Sequence, residues 1–387
     1  MTARETALIG ADIYDGLTLH KGAALMARAD GSVAVVSSDD VPMGCATQHL
    51  DGGIIAPGFV DLQVNGGGGV MFNDAQTVET LQVMAKAHAT TGTAALLPTL
   101  ITDTPDRTRA AIDAVARAID EKLPGIIGIH LEGPHLSVAR KGAHDPSLIR
   151  PMTDADIAVL LDAANRLANV MLTVAPENVR DDQISALAAA GVIVSLGHTD
   201  TSFDRCMSAF DAGASCATHL FNAMSQLGNR EPGLVGAVLT HPAVSAGLIA
   251  DAVHVHPATM RAALSAKSVV AKDGPGQIFL VTDAMATGGC DIQEFTLNGR
   301  IVRREHGRLT LKDGTLAGAD VDFGRAISVV MDQVGVGLQD AVAMATTLPA
   351  QLLRDDMGFG RIDGLENGLV HLDKTTNQPR HIASLLG

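Results

Sequence analysis

The feature that most restricts this chain is a sustained alternation. Between residues 58 and 285 eight short apolar runs recur: GFVDLQVN, TAALLPTL, GIIGIHLEGP, NVMLTVAPE, GVIVSLGHT, SCATHLFNAM, VSAGLIADAVH and QIFLVTDAM. Stretches of helical periodicity separate most of them, among them TVETLQVMAKAHATTG, TPDRTRAAIDAVARAID and TDADIAVLLDAANRLA. The last opens on Thr153 and Asp156, a capping box in which Asp replaces the usual Glu or Gln. Near-continuous apolar strands suit a parallel sheet covered on both faces. Eight strand–helix units close into a barrel. The predicted fold class is therefore α/β, a (β/α)8 TIM-type barrel over residues 57–356. Aromatics are only 3% of the 387 residues and Trp is absent, while hydrophobic residues reach 47%. The core must be built from Ala, Val, Leu, Ile and Met.

The flanks have a different texture. Residues 1–56 read as short strands punctuated by Gly and Asp, and GRIDGLENGLVHLD near the other end reads the same way. One small sheet domain made from both termini, 1–56 and 357–387, is expected. After the eighth strand, EFTLNGRIVRREHGRLTLKDGTLAG predicts a β-hairpin inserted at about 293–318, and FGRAISVVMDQVG resumes as helix.

A formal charge of −15 argues against nucleic acid or an anionic membrane as partner. No apolar run reaches the roughly 18 residues of a membrane span. The first residues, with Glu5 and Asp12, carry no signal-peptide pattern. Cys45, Cys206, Cys216 and Cys290 include no CxxC pair, so reduced thiols in a cytoplasmic chain are expected. An anionic substrate would need local positive groups to hold it against the global field.

In such a barrel the chemistry lies at the C-terminal ends of the strands. Gln63 and Asn65 end the first strand; His130, Glu132 and His135 the third; His198 the fifth; His219 and Asn222 the sixth; Asp251 and His254 the seventh; Asp283 the eighth. A single polar residue there is ordinary, as a polar contact or, for Asp283, a helix cap. Six of eight strands ending this way point to a site. Glu132, His198 and His219 offer one carboxylate oxygen and two imidazole nitrogens, a hydrolytic metal pattern that leaves a position for water. Asp283 is placed to take a proton from that water and to pass it to a leaving amine.

The strings HLEGPHL (130–136), KGAHD (141–145), LGHT (196–199), THLFNAM (218–224), REPG (230–233), DAVH (251–254) and VTDAM (281–285) resemble, in order along nearly the whole chain, the N-acetylglucosamine-6-phosphate deacetylases of the amidohydrolase superfamily. The resemblance implies that the terminal strands form a β-sandwich. It implies hydrolysis of the acetamide of N-acetylglucosamine 6-phosphate, with the galactosamine epimer as the alternative. It implies one divalent ion per subunit, Zn2+ before Fe2+, Mn2+ or Co2+, and a homodimer. Many amidohydrolases end strand one in His-x-His and bind a second metal there; Gln63 and Asn65 suggest a single-metal site. The two amides either bond the water network or Asp283, or orient the turn at Gly66–Gly69, and are not assigned as ligands. His144 is the implied oxyanion or substrate donor. The phosphate falls to the backbone of Asn222 and Ala223, to Arg230 and to His254, with donors from a neighbouring subunit. Three departures stand out: LAGADVDFGRAI, where Ala319 and Asp320 replace a common Ser in a loop expected to contact the sugar; His135, where an aromatic is common, expected either to add a ligand-like contact or to stack; and NGLVHLD near the end. A related cyclic amidase or deaminase would favour His-x-His on strand one and Lys on strand four, which here ends VAPE. A non-catalytic sugar-phosphate sensor would have lost Asp283 or a ligand.

Overall fold

The computed structural model describes residues 5–362 and 368–386, so parts of the two terminal segments, residues 1–4, 363–367 (including Asn367 of NGLVHLD) and 387, lie outside the described residues. The eight apolar runs form one parallel sheet in sequence order: β1 (Phe59–Val64), β2 (Thr93–Ile101), β3 (Ile129–Glu132), β4 (Val170–Val174), β5 (Ile193–Leu196), β6 (Cys216–Ala217), β7 (Ser245–Leu248) and β8 (Ile278–Leu280). Apart from Ala94 in β2, every residue of these strands is buried. Helices cover the outside: α1 (Val78–Ala89), α2 (Pro105–Asp120), α3 (Asp154–Arg166), α4 (Asp181–Ala189), α5 (Phe203–Asp211), α6 (Gly233–Thr240), α7 (Pro257–Val270) and α8 (Phe323–Val329). Thr77, Thr104, Thr153 and Ser202 cap four of them through side-chain oxygens, and Thr153 with Asp156 forms the expected capping box. Pro98 lies inside β2, where a shift in register between Leu96 and Pro98 accommodates the missing N–H.

The ring closes between β8 and β1. Val64 bridges Ala284, and the backbone N–H of Asn65 donates to the Ala284 carbonyl at 2.8 Å. Lower in this seam Asp61, a residue the sequence did not single out, accepts from the Thr282 hydroxyl at 2.5 Å and from the Thr282 and Gln63 N–H groups. Burial pushes the Asp61 carboxyl up to about 7.

Behind β7, the buried Lys267 ammonium of α7 donates to the carbonyls of Val238, His241 and Val244 at 3.1, 2.7 and 2.6 Å. Lys267→Met is expected to destabilise the fold by about 3 kcal/mol, because it leaves three carbonyls at the α6 end without a donor. Denaturant unfolding measures this; a change below about 1 kcal/mol would contradict it.

The terminal strands form two sheets. One has the order 33–37, 23–27, 6–9, 46–49; the other has 379–381, 369–372, 54–57, 12–14, 19–20 and so joins both ends of the chain. Leu8 and Leu25 from the first pack with Ile13, Ile55 and Leu369 from the second in one apolar cluster, as in a sandwich. The insertion is larger than the single hairpin expected at 293–318. It is a four-stranded antiparallel meander, Glu294–Leu297, Arg300–Glu305, Arg308–Leu311 and Leu316–Ala319. Gly299, Gly307 and Gly314 all have positive φ and stand at its three turns. Among the described residues no helix is long and apolar enough to cross a membrane.

Candidate active site

The mouth of the barrel holds a cavity of about 380 Å³, lined in part by Glu132, His144, His198, His219, Asn222, Ala223, His254 and Asp283. Glu132 is the last residue of β3, His198 follows β5 and His219 follows β6. The Glu132 Oε1 lies 3.2 Å from His198 Nε2 and 3.1 Å from His219 Nε2, and the two nitrogens are 3.1 Å apart. His198 Nδ1 donates to the Arg140 carbonyl at 2.8 Å, so its Nε2 presents a lone pair to this point. Two imidazole nitrogens and a carboxylate oxygen thus converge on one point, where a shared proton or a cation has to bridge them. A divalent cation fits that donor set. Burial alone would raise the Glu132 carboxyl; when His198 and His219 are protonated, their bonds and charge more than offset it and hold it well below the ordinary carboxylate range.

Asp283 stands beside this cluster. Its Oδ1 accepts from Asn65 Nδ2 at 2.7 Å and from Gln63 Nε2 at 3.2 Å, and the same Gln63 amide also donates to Glu132 Oε1 at 3.2 Å. Strand alternation puts Gln63 of β1 and Asn65, the residue after it, on the inner face. Gln63 spans the Glu132 and Asp283 carboxylates and Asn65 bonds Asp283, where His side chains would compete for a cation. The glycines after them serve close approach: a Cβ on Gly66 would lie 2.4 Å from the Val70 carbonyl and 2.8 Å from Ala286 N. Burial, then the Glu132 charge, raise the Asp283 carboxyl to about 6.

His198, His219, Ala223 and Asp283 all have left-handed backbone, with φ of 48°, 33°, 49° and 49°. For residues with a Cβ this costs roughly 1–2 kcal/mol each. The surrounding structure holds it: the Asp283 carbonyl accepts from Ala319 N at 3.0 Å, so the last insertion strand clamps the end of β8. His144 is oriented by Thr102, whose backbone N–H donates to Nδ1 at 3.3 Å. The ring proton therefore sits on Nε2, 3.9 Å from Glu132 Oε2, as a donor available to a ligand. Burial pushes His144 down to about 3, which keeps the ring neutral. His254 Nδ1 donates to Asp251 Oδ2 at 2.6 Å, leaving Nε2 for a ligand.

Other expected positions fall elsewhere. Arg230 is exposed, with no partner among the described residues, and does not line this cavity. His135 bonds the Arg150 carbonyl at 3.0 Å and lines a separate pocket between α2 and α3. His130 points into the barrel, bonded to the Leu62 carbonyl and the Thr173 hydroxyl. Ala319 is a buried strand residue and Asp320 pairs with Arg304 at 2.9 Å, both away from the cavity; Thr315, Leu316 and Gly318 line it instead. Sequence reasoning missed Thr102, Arg140 and Asp61. The spacing of Asp61, two residues before Gln63 on the same strand face, was the one signal available for the last.

The sequence matches the Amidohydrolase family over residues 54–363. It is 46% identical, over 84% of this chain and 80% of the relative, to an N-acetylgalactosamine-6-phosphate deacetylase of Shewanella sp. (strain ANA-3). It is 32% identical, over 92% of both chains, to an N-acetylglucosamine-6-phosphate deacetylase of Haemophilus influenzae. The crystal structure of N-acetylglucosamine-6-phosphate deacetylase from Pasteurella multocida superposes with a TM-score of 0.88 at 32% identity, covering 96% of both chains. A barrel with a terminal sandwich, an intact strand-end constellation and matches of this length together show that the chain belongs to the amidohydrolase family.

Proposed function

We propose that the chain hydrolyses the acetamide of N-acetylglucosamine 6-phosphate to glucosamine 6-phosphate and acetate. The observation that carries this reading is the convergence of Glu132, His198 and His219 beside Asp283, linked through Gln63. Glu132, His198 and His219 would hold a divalent ion, which would supply a lowered water pKa and a polarised amide carbonyl. Asp283 takes the proton of the attacking water and delivers it to the amine nitrogen as the C–N bond breaks. His144 Nε2–H donates to the carbonyl oxygen as charge develops there. The N–H group of Ala223 and the His254 ring hold the phosphate; the Asn222 N–H, also expected there, already donates to the His219 carbonyl at 2.9 Å. Arg230 reaches the phosphate from a second copy in a homodimer, which its exposure and its position outside the lining of its own cavity support. Gln63 and Asn65 hold Asp283 and are not ligands. Zn2+ is the proposed ion; Fe2+, Mn2+ and Co2+ suit the same donors. Residues 57–356 carry the reaction, with 1–56 and 357–387 as the second unit. Free cysteines support a cytoplasmic setting.

The second reading, N-acetylgalactosamine 6-phosphate, is favoured by the 46% identity to the Shewanella relative. Acetate release from both epimers, measured in parallel, decides between them by the ratio of kcat/KM. No release from either would remove the reading.

Asp283 must be ionised to accept a proton. With its carboxyl raised to about 6 and a cation opposing that rise, kcat/KM is expected to fall as pH drops through an acid limb at or below about 6. A pH profile flat from 7 to about 4 would contradict the role.

A further inference from the structure

We infer that Ile101, Met285 and Leu316 form the wall against which the acyl group lies, and that they restrict the enzyme to acetyl or smaller. The inference rests on the hydrolysis proposed above and goes beyond it to the acyl side of the scissile bond. The reacting carbonyl has to lie beside Glu132, His198, His219 and Asp283. The groups suited to phosphate follow β6 and β7: Ala223 and His254. In a ring of eight strands, β2 lies four strands from β6, on the far side of the mouth. A substrate whose phosphate is at β6 and β7, with its amide over the centre, therefore directs its acyl group towards β2.

That side is apolar. Ile101 ends β2 and is in direct register with Glu132, so the two side chains share a face. Met285 follows Asp283 by two residues. Leu316 opens the last strand of the insertion, the strand that clamps Asp283. All three line the cavity. A methyl group placed here leaves water for apolar neighbours. An extra methylene meets a backed wall, because Ile101 and Met285 belong to the apolar cluster that includes Leu297, Val302 and Leu309 of the insertion. Gly318 presses on the same side chain: a Cβ there would stand 2.5 Å from Met285 Cγ. The meander thus has a stated task, to close the acyl side of the site, and overpacking is its means of selection.

The test uses the full-length, zinc-loaded enzyme and the N-formyl, N-acetyl, N-propionyl and N-butyryl derivatives of glucosamine 6-phosphate and galactosamine 6-phosphate. Wild type is expected to lose about 10- to 200-fold in kcat/KM from acetyl to propionyl. Met285→Ala and Leu316→Ala are expected to raise the propionyl-to-acetyl ratio by about tenfold or more. Thermal melting checks that each variant is folded; if Met285→Ala is not, the half-buried Leu316→Ala decides. Equal turnover of acetyl and propionyl by wild type, or an unchanged ratio in the folded variants, overturns the acyl wall and leaves deacetylation standing. No turnover of either acetyl substrate overturns the deacetylase reading, and the acyl wall with it.

Discussion

Asp283→Asn is expected to lower kcat by about 10³-fold, within the range that a positioned proton donor and acceptor contributes, with metal content unchanged. The substitution keeps the shape of the side chain. Oδ1, which accepts from both Asn65 and Gln63, can still accept from both after the change. What is lost is the site that takes up and returns a proton. Glu132, His198 and His219 are untouched, so the variant should bind the ion as wild type does. Steady-state kinetics with metal analysis of the same sample checks both halves. Activity within tenfold of wild type would sink the acid–base role. Loss of the ion together with activity would show that Asp283 acts on the metal centre instead.

Removing the ion is the second large effect. Chelation is expected to lower activity by about 10³-fold or more, since several kcal/mol of charge stabilisation disappear at once. Added Zn2+ should restore the chelated wild type. It should not restore His219→Ala, where one of three convergent donors is missing. Stability provides a readout independent of turnover. Zinc at about 100 times its dissociation constant adds about 2.7 kcal/mol to the folded state. The melting temperature of metal-free wild type should therefore rise on addition of zinc, and that of His219→Ala should rise less or not at all. Full activity after exhaustive chelation, or a melting temperature indifferent to zinc in wild type, would remove the metal from the mechanism.

Much of the architecture was legible because its signals are local. Eight buried runs and their helical partners can be read from windows of about ten residues, and the caps at Thr153 and Asp156 from four. The residue types for the site were also legible: Glu132, His198, His219 and Asp283 stand at strand ends, and strand ends in a barrel converge. The resemblance of HLEGP and THLFNAM to known strings sharpened this. The β-meander was read as a hairpin because periodicity in short polar strands marks a turn without counting how many strands follow it.

The sequence by itself determined which side chains arrive at the mouth of the barrel, since strand order and strand length are local properties. Tertiary structure alone decided which of those side chains face one another. His130 and Glu132 are two residues apart on one strand, yet one donates to the Leu62 carbonyl inside the barrel and the other meets two imidazoles at its rim. Arg230 and Asn222 lie close in sequence, but only Asn222 reaches the cavity of its own chain. The pairing of Asp61 with Thr282 spans 221 residues and exists because the ring closes there. Contacts of that kind depend on closure and on single left-handed residues such as Asp283, which redirect a side chain in one step and leave no periodic trace in the chain.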